Sequence, residues 1–266
     1  MRKIAIISVW FATLAGLASC GGPDVTTNAT PQPVTTVDQD QSTTPDDDSS
    51  GTDEVVRSYV DALAATDDPE AMRDGLRYAA EGSVAYVYLE HRANLADAAL
   101  DGGSPFPAYR ATASGDGFEI CDPSDRASCG TFAGFQTADG KLTDLTVDGD
   151  RPGPLLTTGN GDKVTANGLN AEFLTAYDAI AGSGLWVTIR ITSGPESVEL
   201  DIYSATYRAP DGRQRQVTDA YGPYELGADS NAMVALVFAG VQPGGTVSLT
   251  AWDQDYNEDE LRIRVG

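Results

Sequence analysis

Histidine is almost missing: His91 is the only one in the 266-residue chain. A Ser-His-Asp hydrolase would have to be built on it. Metal sites face the same shortage, because three cysteines and one histidine leave few nitrogen or sulfur ligands. Positive charge is scarce too. Seventeen Lys and Arg stand against 40 Asp and Glu, for a formal charge of −23. Such a chain repels nucleic acid and anionic lipid headgroups. The acids are dispersed rather than blocked, which reads as a solvated surface rather than a site for one cationic partner. Beyond the first residues no apolar run approaches the length of a membrane span. Catalytic signatures are absent as well: there is no Gly-x-Ser-x-Gly elbow, His-Glu-x-x-His pair, P-loop or complete dinucleotide fingerprint. Gly159-Asn160-Gly161 is an isolated glycine pair. No cofactor and no metal is therefore expected.

What is present begins at the N-terminus. Arg2 and Lys3 precede an apolar stretch from Ile4 to Ala15, too short to span a bilayer as a helix. Leu17-Ala18-Ser19-Cys20 follows, then Gly21-Gly22. This resembles the lipobox of bacterial lipoproteins. The resemblance implies a signal peptide over 1–19 and a lipid-modified Cys20 as the mature N-terminus. It places the protein outside the cytoplasm, anchored to the membrane by its acyl chains. Loss of Arg2 and Lys3 would take the charge from −23 to −25.

The other two cysteines, Cys121 and Cys129, are eight positions apart. Their spacing in an exported chain favours a disulfide. Free thiols or metal ligands are the weaker alternative.

Residues 20–52 read as a disordered tether. Positions 21–52 hold eight threonines, four prolines and six aspartates, with no lysine or arginine. Helices are expected next. Thr52 is a candidate N-cap, and Val55, Val56, Tyr59, Val60 and Leu63 share one helical stripe. Asp68-Pro69-Glu70 starts a second helix. Ser83 opens a third, with Val84, Val87, Tyr88, His91, Leu95 and Ala98 along one face and Gly102-Gly103 at its end. The period then changes to two. Residues 108–121 read as a strand pair turning at Gly115-Asp116-Gly117, and 130–148 as a hairpin turning at Ala138-Asp139-Gly140. Together these make an α+β domain over 53–150. Residues 151–163, rich in Pro and Gly, read as a linker. The remainder, 164–266, alternates as strands. Leu185, Val187, Ile189 and Ile191 form one inward face, and Met233–Phe238 is continuously apolar. About seven strands argue for an all-β sandwich.

Two resemblances sharpen this. The helices followed by TFAGFQTADGKLTDLTVDG resemble the cystatin-like roll of the nuclear-transport-factor-two/ketosteroid-isomerase superfamily, and in particular lipoproteins of actinobacteria. The run LWVTIRITSGPESVELDIYSATYRAPDGRQ resembles immunoglobulin-like, telokin-type domains of bacterial surface lipoproteins. The implied fold is a cystatin-like roll followed by an immunoglobulin-like sandwich. The cystatin-like roll hosts both enzymes and inert modules.

Candidate site residues are few. His91 is either a general acid/base or a hydrogen-bonded core group, and the second is preferred. Tyr59, Tyr78, Tyr86, Tyr88 and Tyr109 are pocket candidates for an apolar ligand. A cavity in the first domain is expected to be small and largely filled by Tyr59, Leu63, Tyr88 and Leu95, with Glu90 and Asp97 facing away. Asp253, Asp255, Asn257 and Asp259 are spaced like the start of a calcium loop, but Glu258 and Arg264 stand where that loop needs glycine and glutamate. The preferred function is non-catalytic binding or scaffolding at the cell envelope, with an envelope protein or a small apolar ligand as partner. An enzymatic or ligand-binding roll near His91, and a cation-dependent adhesion module, are the alternatives.

Overall fold

The computed structural model describes residues 48–124, 128–166, 168–179 and 184–266. The expected signal peptide, the expected lipidation at Cys20 and most of the expected tether lie outside the described residues. No helix among those described is long and apolar enough to cross a membrane.

Helix α1 (Asp48–Ala64) begins before Thr52, which is therefore an interior position and not the cap. Its apolar stripe is as expected: Tyr59, Val60 and Leu63 are buried. Asp68 caps α2 (Pro69–Asp74), accepting from the Ala71 N–H at 3.0 Å, with Pro69 at the first turn. A 3₁₀ turn (Gly75–Tyr78) follows. Gly75 is required there, since a Cβ would lie 2.3 Å from the Ala62 Cβ of α1. Ser83 caps α3 (Val84–Asp101), accepting from Tyr86 N–H at 3.2 Å.

Four antiparallel strands follow in the order of the chain: β1 (Arg110–Ser114), β2 (Gly117–Cys121), β3 (Cys129–Ala138) and β4 (Lys141–Val147). Asp139 and Gly140 both have positive φ, 52° and 72°, the pairing that a two-residue Asp-Gly hairpin turn demands. Cys121 and Cys129 face each other across β2 and β3, with Cα atoms 4.1 Å apart, and are bonded. Replacing both by alanine should lower unfolding stability by about 2–3 kcal/mol, since the bond closes a short loop. Urea denaturation reads this directly; an unchanged midpoint would show that the ladder alone holds the two strands.

The rest of the chain is a two-sheet β-sandwich. One sheet contains β5 (Leu156–Thr158), β6 (Lys163–Ala166), β7 (Leu169–Ala179), β8 (Gly184–Thr192), β11 (Asp219–Tyr221) and β13 (Asn231–Phe238). The other contains β9 (Val198–Arg208), β10 (Gln214–Gln216), β12 (Glu225–Leu226), β14 (Thr246–Trp252) and β15 (Glu258–Arg264). Their inner faces, including Leu185, Ile189, Val234, Leu249 and Ile263, make one core. A second core lies between the helices and the four-stranded sheet, around Tyr59, Met72, Leu89, Leu142 and Leu145.

The expected linker is not one. Within 151–163, β5 pairs with β7 and so belongs to the sandwich. Nor do two separate domains stand on either side of it, because the described residues form one compact unit. The joint is α3. Its buried residues, among them Ala85, Leu89, Ala93, Leu95, Ala96 and Ala99, run almost completely round the helix. One side faces α1, α2 and β4. The other lies on the outer face of the β7–β8–β13 sheet, where Leu95 and Ala98 pack against Met233 and Ala235. The Asp101 carboxylate accepts from the Met233 N–H at 2.7 Å across this seam. Strand β13 is buried on both faces for the same reason, which accounts for the unbroken apolar run Met233–Phe238.

Candidate functional site

A bulge sets the geometry of the seam. Along β7, Leu169, Ala171 and Phe173 point into the sandwich core, and alternation would send Thr175 and Tyr177 there too. The register with β8 shifts between Phe173 and Thr175. The extra residue reverses the parity, so Ala176 enters the core while Thr175 and Tyr177 turn out toward α3.

Thr175 meets His91. The imidazole Nδ1 is 2.8 Å from Thr175 Oγ1, which lies 2.7 Å from Thr188 Oγ1 on β8; Thr188 in turn donates to the Thr175 carbonyl at 3.2 Å. His91 is fully buried, and its Nε2 has no hydrogen-bond partner among the described residues. Burial, with a smaller contribution from the Arg92 charge, pulls its pKa down to about 3. The ring is thus neutral at physiological pH and shut off from solvent.

Tyr177 meets Tyr88, edge to face at 5.6 Å between ring centroids. These two rings, with Phe132 of β3 and Tyr109 ahead of β1, wall a cleft of about 380 Å³. Ile120, Val147 and Leu63 contribute its apolar surface, and Cys129 brings the disulfide to its edge. Two charged residues line it. Arg92 of α3 is half-buried and forms no ion pair or hydrogen bond among the described residues. Asp148, exposed and held at φ 52°, accepts from the Thr131 N–H at 2.8 Å. Both charges act on the Tyr88 hydroxyl: burial raises its pKa, the Arg92 charge opposes that rise and the Asp148 charge adds to it.

The expected pocket residues are therefore redistributed. Tyr88 and Tyr109 line the cleft. Tyr59 does not; it is core, donating to the Ala85 carbonyl at 2.7 Å, and burial pushes its pKa well above the usual tyrosine value. His91 is not on the lining either, because the Thr175–Thr188 pair draws it to the opposite sheet. Leu95, expected as cavity filling, is in the seam, and the cavity stays open. Glu90 and Asp97 are off the lining, with Asp97 paired to Arg73. Sequence reasoning missed Arg92, Phe132 and Tyr177. Arg92 was accessible to it, lying one helical turn after Tyr88 and so on the same face.

Elsewhere, Tyr203 and Tyr224 are stacked at 5.7 Å on the sandwich surface, 52% and 60% exposed. In the candidate calcium loop the Asp253 carboxylate is already engaged by the N–H groups of Asp255 and Asn257 and by the Asn257 side-chain amide. Among the described residues no group of three or more His, Cys, Asp or Glu is placed to hold a metal ion. No protein-family model matches the chain, and no curated protein matches it.

Proposed function

We propose that this chain is a non-catalytic binding protein, held by lipid on Cys20 at the outer face of a cell membrane. The observation that carries this reading is the aromatic cleft. Four rings and several aliphatic side chains, with Arg92, Ser128 and Asp148, line a cleft that is open to solvent and of a size suited to a small molecule. The only imidazole lies behind that wall, neutral and enclosed, so it cannot exchange protons with anything in the cleft. On this reading the α+β half is a cystatin-like roll and the sandwich is immunoglobulin-like; helices leading into an antiparallel meander, and two facing sheets, support both assignments. The exposed Tyr203–Tyr224 pair favours a second, scaffolding role for the sandwich surface.

Binding is tested by calorimetric titration of the full chain in detergent with uncharged apolar probes, the primary amides of benzoic, 2-naphthoic and dodecanoic acid. At least one should bind stoichiometrically, and Tyr109→Ala, which trims a half-buried wall, should weaken it several-fold. Absence of binding by all three amides and by their parent acids would end the cleft reading. Anchoring is tested separately. Cys20→Ala should move the protein out of the membrane fraction or leave its leader uncleaved; a processed, membrane-bound mutant would refute it.

A further inference from the structure

Arg92 is anomalous in this chain. Forty acidic residues supply carboxylates in excess of 17 cations. Arg57, Arg73, Arg151, Arg190, Arg213 and Arg262 each have an Asp or Glu within 4 Å. Arg92 has none among the described residues, and of the arginines there without such a partner (Arg77, Arg92, Arg110, Arg208, Arg215 and Arg264) it alone is half-buried rather than exposed. A desolvated guanidinium without a partner is costly, and the planar fork matches a carboxylate bidentately. It stands in the wall of the cleft that Tyr88, Tyr109, Phe132 and Tyr177 share with aliphatic side chains and Asp148.

From the free guanidinium set among Tyr88, Tyr109, Phe132 and Tyr177, we infer that the cleft binds a small apolar monocarboxylate, its carboxylate on Arg92 and its apolar body against the rings. This rests on the cleft being the binding site and specifies what enters it. Asp148 limits the ligand's charge. It lies on the same cleft, and its carboxylate repels a second anionic group. The chain's overall charge of −23 acts in the same direction, against polyanions. A single carboxylate on an aromatic or acyl body satisfies Arg92 without opposing either.

The experiment compares each acid (benzoate, 2-naphthoate, dodecanoate) with its primary amide, by calorimetric titration of the full chain at neutral pH. At least one acid should bind ten-fold or more tighter than its amide. Arg92→Gln should remove that preference, and Arg92→Lys should retain part of it. Circular dichroism confirms that the variants are folded. An acid that binds no tighter than its amide, or a preference that survives Arg92→Gln, overturns the assignment of Arg92 and leaves the cleft reading standing. Failure of acids and amides alike overturns both.

Discussion

Between pH 6.5 and pH 3 the wild-type chain should lose stability that a His91→Gln variant keeps. The folded-state pKa of His91 is about 3, against 6.5 for an ordinary histidine. Above pH 6.5 the ring is neutral whether the chain is folded or not, and pH has no purchase on it. Below 6.5 the unfolded chain takes up a proton that the folded chain refuses, so unfolding is favoured, by up to about 1.4 kcal/mol for each pH unit. Near pH 3 the effect saturates, at a total on the order of 5 kcal/mol. Glu90, Asp101 and Asp178 work in the opposite sense, because burial raises their pKa values and protonation on acidification relieves the folded state. They are common to both proteins and cancel in the difference. Glutamine can still reach Thr175, so its cost at neutral pH is a constant offset. Denaturant titrations at several pH values supply the two curves. Parallel curves across this window would mean that the imidazole is hydrated in solution, and the enclosed seam around it would have to be abandoned.

Ala98→Asp should destabilise both halves of the molecule together, by on the order of 3–5 kcal/mol, the scale for an uncompensated buried charge. Ala98 is fully buried in the seam between α3 and the sandwich, against Met233 and Ala235. The two halves carry separate reporters: the helices lie in residues 48–101, whereas Trp186 and Trp252 are on sandwich strands. Helical circular dichroism and tryptophan fluorescence should give one coincident melting curve in the wild type and one coincident, lowered curve in the variant. Two curves, with the tryptophan signal unmoved by the substitution, would restore the picture of two independent domains.

Local chemistry was legible in the sequence wherever neighbours along the chain decide the outcome. Ser83 and Asp68-Pro69 start helices as their side chains dictate, Asp139-Gly140 turns a hairpin, and the period-two runs of β8 and β9 are strands. The cysteine pair follows from spacing and is bonded. What could not be read depends on partners distant in the chain. The stripe on α3 suggested one buried face, because Ala93 and Ala96 are too small to declare a second; packing against Tyr59 and Leu63 of α1 and Met72 of α2 makes them interior. Thr52 has the chemistry of a cap, but the helix continues past it to Asp48. The glycines and prolines of 151–163 describe a loop correctly up to Leu156, where the edge of β7 captures three residues. The cleft was hidden most completely. Tyr177 reaches it only because of a one-residue bulge, and in a strand with perfect alternation the same side chain would lie in the sandwich core.

The placement of α3 between two sheets also orders events in time. The helix is complete in the chain by residue 101, but the strand that covers its second face is made much later; the Asp101–Met233 contact spans 132 positions. If the first half forms its helices and its small sheet before the sandwich is complete, one side of α3 remains uncovered. That apolar surface is closed only after β13 has been made and has paired with β8. That closure is a long-range one, and a chain in which it has not yet happened exposes the apolar side of α3 to aggregation or to a chaperone.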